Sequence, residues 1–178
     1  MAKLLTIFCL LLMSPFAWSA EPKVPLPAAV KTAAPDLHLL GAGHLNWLFF
    51  SVYNAALWIS GDQYTPTQTF ALGIDYARSF SSHELVKTSL KEMRRLDDLD
   101  AAQLAKFRTD LQHAFPDVKS GDQIVGLCMP GKYTAFYYNG VLHSKIDDPQ
   151  FCPDFFAIWL SPHTQVPGLR KKLLDLHE

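Results

Sequence analysis

The chain has 178 residues, of which 49% are hydrophobic and 19% are charged. Its length and apolar content are typical of one folded domain with a substantial core, and they exclude a largely disordered chain. The formal net charge at pH 7 is -1 and no basic run occurs, so we predict no nucleic-acid partner.

The first segment, residues 1–20, is typical of a secretory signal peptide. Lys3 supplies the positive start, and residues 4–16 form an apolar stretch too short to span a bilayer as a mature helix. Ala17-Trp18-Ser19 offers small residues to a signal peptidase. We predict cleavage after Ser19 or Ala20, export to a periplasm or out of the cell, and no stable transmembrane segment afterwards. An uncleaved anchor is the alternative.

The segment after the leader, residues 21–36, contains four prolines and several alanines. This composition predicts an extended lead-in to a single domain at residues 37–178. We expect an edge strand at residues 37–40 and a flexible turn at Gly41-Ala42-Gly43.

Two further strands are predicted before the first helix. Residues 47–59 form the longest apolar run after the leader, and their aromatic and β-branched residues favour a strand buried on both faces. Phe70–Tyr76 is predicted to be the next strand.

Two capping boxes predict two helices in the middle of the chain. Ser81 with Glu84 opens the first, and Asp100 with Gln103 opens the second. Pro116 ends the second helix.

Two turn signals divide the next region into a three-stranded meander. Pro130-Gly131 suits a type II turn, and Asn139-Gly140 suits a tight type I′ hairpin loop. We therefore predict antiparallel strands at residues 124–129, Tyr133–Tyr138 and Val141–Ile146.

Two more helices are predicted after the meander. Asp148-Pro149 begins the first, with aspartate at the cap and proline at the first helical position, and Pro167 begins the second. Strands, two helices, a meander and two helices make an α+β fold with an antiparallel sheet. The apolar face of the first of these helices would carry Phe151, Phe155, Ile158 and Trp159.

Two cysteines, Cys128 and Cys152, would remain after leader cleavage. An even number in an oxidising compartment permits one disulfide, whereas two buried thiols packed as small hydrophobes are the alternative. The seven histidines lack the spacing of metal ligands, so we predict no metal and no other cofactor. A site of Cys128, His143 and Cys152 would be the exception.

Polar residues inside apolar strands are the candidates for function, because no nucleophile elbow, phosphate loop or H-E-x-x-H motif occurs. Buried polar atoms need partners. They would either line a pocket between sheet and helices or have ordinary structural roles. The ligand-binding candidates are Tyr53, Asn54, Tyr76, Arg78 and Tyr138.

Six segments together resemble the exported chalcone isomerase-like proteins of bacteria. They are GAGHLNWLFFSVYNAALW at 41–58, IDYARSF at 74–80, KEMRRL at 91–96, FPDVKSGDQIVG at 115–126, FYYNG at 136–140 and DDPQFCPDFFAIWLSPHTQVPGLRKKLL at 147–174. The resemblance implies an open-faced β-sandwich, in which a large antiparallel sheet carries helices on one face and a ligand cleft lies between the two layers.

The resemblance also frames the expected function, since this fold includes chalcone isomerases and fatty-acid binders. In both, a strand arginine after a Gly-x-Gly element receives the negative oxygen of the ligand. Here Leu45 takes that position and His44 is the nearest substitute, while Tyr53 falls where the enzymes have a threonine. Leucine cannot stabilise a developing charge.

Three functions follow as hypotheses. The first is a non-catalytic binder of a small apolar or amphipathic molecule. The second is an isomerase of the intramolecular lyase type with a rebuilt site, in which the catalytic candidates are Tyr53, Tyr76, Arg78 and His44. The third is a structural or interaction protein whose cleft is filled by side chains.

Overall fold

The computed structural model describes residues 24–176 of the chain. The predicted signal peptide and the first three residues of the lead-in lie outside the described residues. The elements in chain order are α1 (Ala28–Ala33), β1 (His38–Trp47), β2 (Phe50–Ile59), β3 (Phe70–Tyr76), α2 (Ser82–Leu96), α3 (Ala101–Ala114), β4 (Gln123–Met129), β5 (Tyr133–Tyr138), β6 (Val141–Ile146), α4 (Phe151–Leu160) and α5 (Pro167–Leu173).

The six strands form one sheet in sequence order, and every neighbouring pair is antiparallel. Side chains from α2 to α5 pack against one face of this sheet in a single apolar cluster. The predicted α+β class, with an antiparallel sheet beneath a helical layer, is confirmed.

Both predicted turns of the meander are present. Asn139 and Gly140 have φ values of 46° and 83°, the left-handed pair that a type I′ loop requires. Gly131 has φ 71°, and the N–H of Lys132 donates to the carbonyl of Met129 at 2.9 Å, which closes the turn at Pro130-Gly131.

The helix signals are correct for α2 and α3 and are displaced for α4. The capping boxes of Ser81 with Glu84 and of Asp100 with Gln103 both form. α4 begins at Phe151 and not at Pro149, because the Asp148 carboxylate caps the preceding turn by accepting from the N–H of Gln150 at 2.9 Å.

The prediction of an extended lead-in is wrong for part of the segment. The lead-in contains α1, and it packs on the sheet face opposite the main helical layer, where Val24 and Val30 are fully buried. That face carries apolar side chains such as Trp58 and Val125, which need cover from water.

The predicted turn at Gly41-Ala42-Gly43 is wrong, because these residues lie within β1. The glycines are required by close packing and not by a turn. A Cβ at Gly41 would lie against the carbonyl oxygen of Lys172 and 2.7 Å from that of Leu173, since α5 lies directly on β1 at this point.

The apolar run at 47–59 is not one buried strand. The chain reverses at Leu48 and Phe49, so Trp47 ends β1 and Phe50 begins β2. The prediction holds for residues 55–59, which are buried, and fails for residues 47–50, which are exposed. No turn dipeptide marks the reversal, and Leu48 makes it with φ 55°.

Cys128 on β4 and Cys152 on α4 form a disulfide, with Cα atoms 5.9 Å apart. Both residues are buried. The bond leaves no thiolates for the alternative metal site with His143, and residues 24–176 contain no cluster of three potential metal ligands. None of the helices described is long and apolar enough to cross a membrane.

We predict that Gly41→Ala lowers the free energy of unfolding by about 1–3 kcal/mol, because the added methyl group must push α5 away from β1. Urea unfolding measures the change. Gly168→Ala is the matched control, since Gly168 lies in α5 with open space around its Cα, and alanine favours a helix. Equal effects of the two substitutions would contradict this account of β1.

Candidate ligand-binding cavity

A cavity of about 320 Å³ lies between the sheet and helices α2 and α4. This volume is at the lower end of the range for small-molecule sites, which starts at about 300 Å³. The walls are mostly apolar, and the exposed residues Glu84, Thr88 and Gln165 lie at the mouth. Apolar wall residues include Leu45, Leu72, Ile74, Phe80, Phe136 and Phe155.

Tyr53 is the first polar group in the wall. It lies on β2, and its hydroxyl oxygen accepts a hydrogen bond from Trp159 Nε1 on α4 at 2.9 Å. Burial raises the pKa of Tyr53 to about 12, and the bond from Trp159 offsets part of this rise. The hydroxyl therefore keeps its proton at neutral pH and can donate it.

Tyr76 is the second polar group. It lies opposite Tyr53 in the register of β2 and β3, and the two rings make an edge contact with centroids 6.4 Å apart. Burial raises the pKa of Tyr76, and the neighbouring Tyr53 raises it further. The cavity thus holds two neutral phenols side by side.

The charges around the cavity are negative. Glu84 and Glu92 on α2 are the charged residues in its described lining. Hydrogen bonds from the backbone and hydroxyl of Ser81 lower the pKa of Glu84, and Glu92 pairs with Arg95 at 2.8 Å. Leu45 is in the wall, at the position where the resemblance expects an arginine. No lysine, arginine or histidine lines the described part of the cavity.

The structure brings two of the sequence-predicted residues, Tyr53 and Tyr76, into the cavity. His44 and Asn54 pair with each other across β1 and β2 and are not in its lining. In the regular pairing of His44 with Asn54 and of Leu45 with Tyr53, successive residues point to opposite faces, so His44 and Asn54 point away from the cavity. The predicted ligand-binding role of Asn54 and the catalytic role of His44 do not fit this geometry.

Arg78 and Tyr138 also lie outside the cavity. Arg78 is exposed after the end of β3, with its guanidinium carbon 5.1 Å from the centre of the Phe50 ring. Tyr138 donates its hydroxyl hydrogen to the Asp122 carboxylate at 2.8 Å, so a structural role accounts for it.

Sequence reasoning missed the polar role of Trp159. The helical spacing predicted Trp159 correctly on the buried face of α4. An indole carries an N–H donor that needs a partner when buried, and this signal could have pointed to a hydroxyl on the facing strand. Glu84 at the mouth was predicted as the capping-box residue of α2, and that capping box forms.

Comparison with known proteins connects this geometry to a family. A sequence model described as chalcone isomerase-like matches residues 21–175. The crystal structure of a fatty-acid binding protein from Arabidopsis thaliana is similar, with a TM-score of 0.59 and 12% sequence identity over 79% of this chain and 87% of that chain. At this identity the likeness concerns the fold. A search of curated proteins gives no match. The family match covers nearly all of the described residues, and the chain belongs to the chalcone isomerase-like family.

Proposed function

We propose that this protein is a non-catalytic binder of a small apolar or amphipathic molecule, exported by a bacterial cell. The observation that carries the proposal is the cavity itself, which is apolar, offers two neutral hydroxyls and has no cation in its described lining. The similar Arabidopsis protein is named as a fatty-acid binder, which supports a ligand with an apolar chain.

The polar end of the ligand would be a neutral hydrogen-bond acceptor. Tyr53 already accepts a hydrogen bond from Trp159, so its own hydrogen remains to be donated. Accepting one bond strengthens a hydroxyl as donor of the next. A carbonyl or ester oxygen fits this donor, whereas a carboxylate would be buried in a cavity whose described lining offers no cation.

Catalysis of the chalcone type would need stabilisation of a phenolate and an enolate. Leu45 cannot provide it, and each ~1.4 kcal/mol of lost stabilisation slows the reaction about tenfold. The neighbouring rings of Tyr53 and Tyr76, which both line the cavity, favour one second candidate, an isomerase in which their hydroxyls donate to the enolate oxygen.

Two features support export. Residues 1–20 have the pattern of a signal peptide, and a disulfide such as Cys128–Cys152 persists in oxidising compartments.

We predict that a long-chain fatty-acid methyl ester binds at least about tenfold more tightly than the acid of the same length at pH 8, because the carboxylate would be desolvated without a cation. Tyr53→Phe should weaken ester binding by about three- to tenfold, the usual worth of one hydrogen bond. Displacement of a fluorescent apolar probe measures both effects.

The control is Tyr138→Phe, which removes a phenol hydroxyl outside the cavity. Equal affinity for acid and ester, or equal losses in the two variants, would count against the proposed site. Turnover of a chalcone by wild-type protein that disappears in Tyr53→Phe would replace the binding proposal with the isomerase.

Tyr53 should also make the protein sensitive to base. Its pKa is 10.0 in an unfolded chain and about 12 in the folded protein. Between these values the unfolded chain loses the proton while the folded protein keeps it, so stability falls by about 1.4 kcal/mol per pH unit. In urea unfolding from pH 10 to 12, we expect a slope that is shallower by this amount in Tyr53→Phe. Identical slopes would exclude a buried phenol at this position.

We predict that export removes the leader and leaves a chain that begins at Ala20 or Glu21. Expression of the full chain in a bacterium, followed by fractionation and amino-terminal sequencing of the periplasmic protein, tests this. A protein that stays in the membrane fraction with Met1 or Ala2 at its start would indicate the uncleaved anchor.

A further inference from the structure

Four consecutive apolar residues, 47–50, form the tip of the hairpin between β1 and β2, and we call them the aromatic tip. Trp47, Leu48, Phe49 and Phe50 are 71%, 78%, 98% and 57% exposed. Loop tips are ordinarily built from small or polar residues, so this much apolar surface at one point suggests an interaction site.

The aromatic tip projects beyond the rest of the sheet. The pairing of β2 with β3 ends at Tyr53 and Tyr76, and beyond it the N–H of Ala77 donates to the carbonyl of Val52 at 3.0 Å. Residues 50 and 51 of β2 therefore have β1 as their strand neighbour. A hairpin end that extends past its partner strands can enter another medium without moving the domain behind it.

The backbone of the tip carries a large apolar side chain at a position where its conformation is unfavourable. Leu48 has φ 55°, a region that glycine or asparagine occupies at much lower energy than leucine. A hairpin selected for stability alone would place one of those residues there. The leucine instead keeps the apolar surface continuous from Trp47 to Phe50.

The charged side chain that contacts the tip is positive. Residues 44–51 include no aspartate or glutamate, and the exposed Arg78 holds its guanidinium carbon 5.1 Å from the centre of the Phe50 ring. Tryptophan and phenylalanine with a flanking arginine are the combination that suits the boundary between acyl chains and headgroups, where the rings enter the apolar side and the arginine meets phosphate.

We infer that the aromatic tip docks this protein on a lipid bilayer that contains anionic headgroups, with Arg78 at the level of the phosphates. The exposed aromatic rings beside the Arg78 guanidinium favour a lipid surface with anionic headgroups over a second copy of the chain. Leu45 and Val52, which flank the tip in β1 and β2, also line the cavity. Docking would therefore bring the cavity wall close to the lipid surface, and this inference stands whichever ligand the cavity takes.

The test measures quenching of Trp47 by vesicles of phosphatidylcholine and phosphatidylglycerol whose acyl chains carry bromine. Subtracting the signal of Trp47→Phe from that of the full wild-type chain isolates Trp47 from the other tryptophans, including Trp18 of the leader. We expect Trp47 to be quenched, and more strongly as the share of phosphatidylglycerol rises. An unquenched Trp47 would overturn the inference.

Vesicle co-sedimentation of two further variants distinguishes binding through the tip from nonspecific binding through other exposed apolar residues. Phe49→Asp should lower vesicle affinity by about tenfold or more, because an exposed phenyl ring that would enter the acyl chains is replaced by a charged carboxylate. Leu142→Asp is the matched control, because Leu142 is 54% exposed on β6 at the far edge of the sheet. Equal losses of vesicle affinity in the two variants would refute lipid docking. A wild-type dimer that Phe49→Asp converts to a monomer, with no change in vesicle affinity, would refute it as well. Ester binding should be unchanged in Phe49→Asp, which keeps this test separate from that of the cavity.

Discussion

Both faces of the sheet carry apolar side chains, and each face must be shielded from water. The lead-in with Val24 and Val30 shields one face, and the four helices α2 to α5 shield the other. The helical cover is incomplete between α2 and α4, and the space that remains is the cavity. The binding site is therefore a consequence of how two layers meet, and its apolar walls are the same side chains that drive folding.

Turns and helix starts were predicted correctly where they depend on interactions between residues close in sequence. A type I′ loop needs two residues with positive φ, and Asn139-Gly140 supplies them within one dipeptide. The capping boxes likewise satisfy helix ends with residues three positions apart. These features located β5, β6 and the starts of α2 and α3 correctly.

Signals failed where a distant part of the chain decides the outcome. Gly41 is a strand residue and not a turn residue, and a glycine is needed there because α5, more than a hundred residues later, packs against its backbone. Leu48 turns a hairpin without any turn residue. Tyr53 and Asn54 were equally good ligand-binding candidates from sequence alone. Only the orientation of β2 relative to α4 places Tyr53 in the cavity and Asn54 on the opposite face.

The disulfide and the hydrogen bond from Trp159 to Tyr53 both involve helix α4. Cys152 and Trp159 are seven residues apart on α4, two helical turns, so they lie on one side of it and both face the sheet. The bond to Cys128 fixes one end of α4 to β4, and the hydrogen bond from Trp159 to Tyr53 fixes the other end to β2. The donor geometry of Tyr53 therefore depends on a covalent link that an oxidising compartment maintains. In a reducing environment the disulfide would be lost, and the hydrogen bond between Trp159 and Tyr53 would remain without it. The side chain of Tyr53 would then be less firmly oriented toward a ligand.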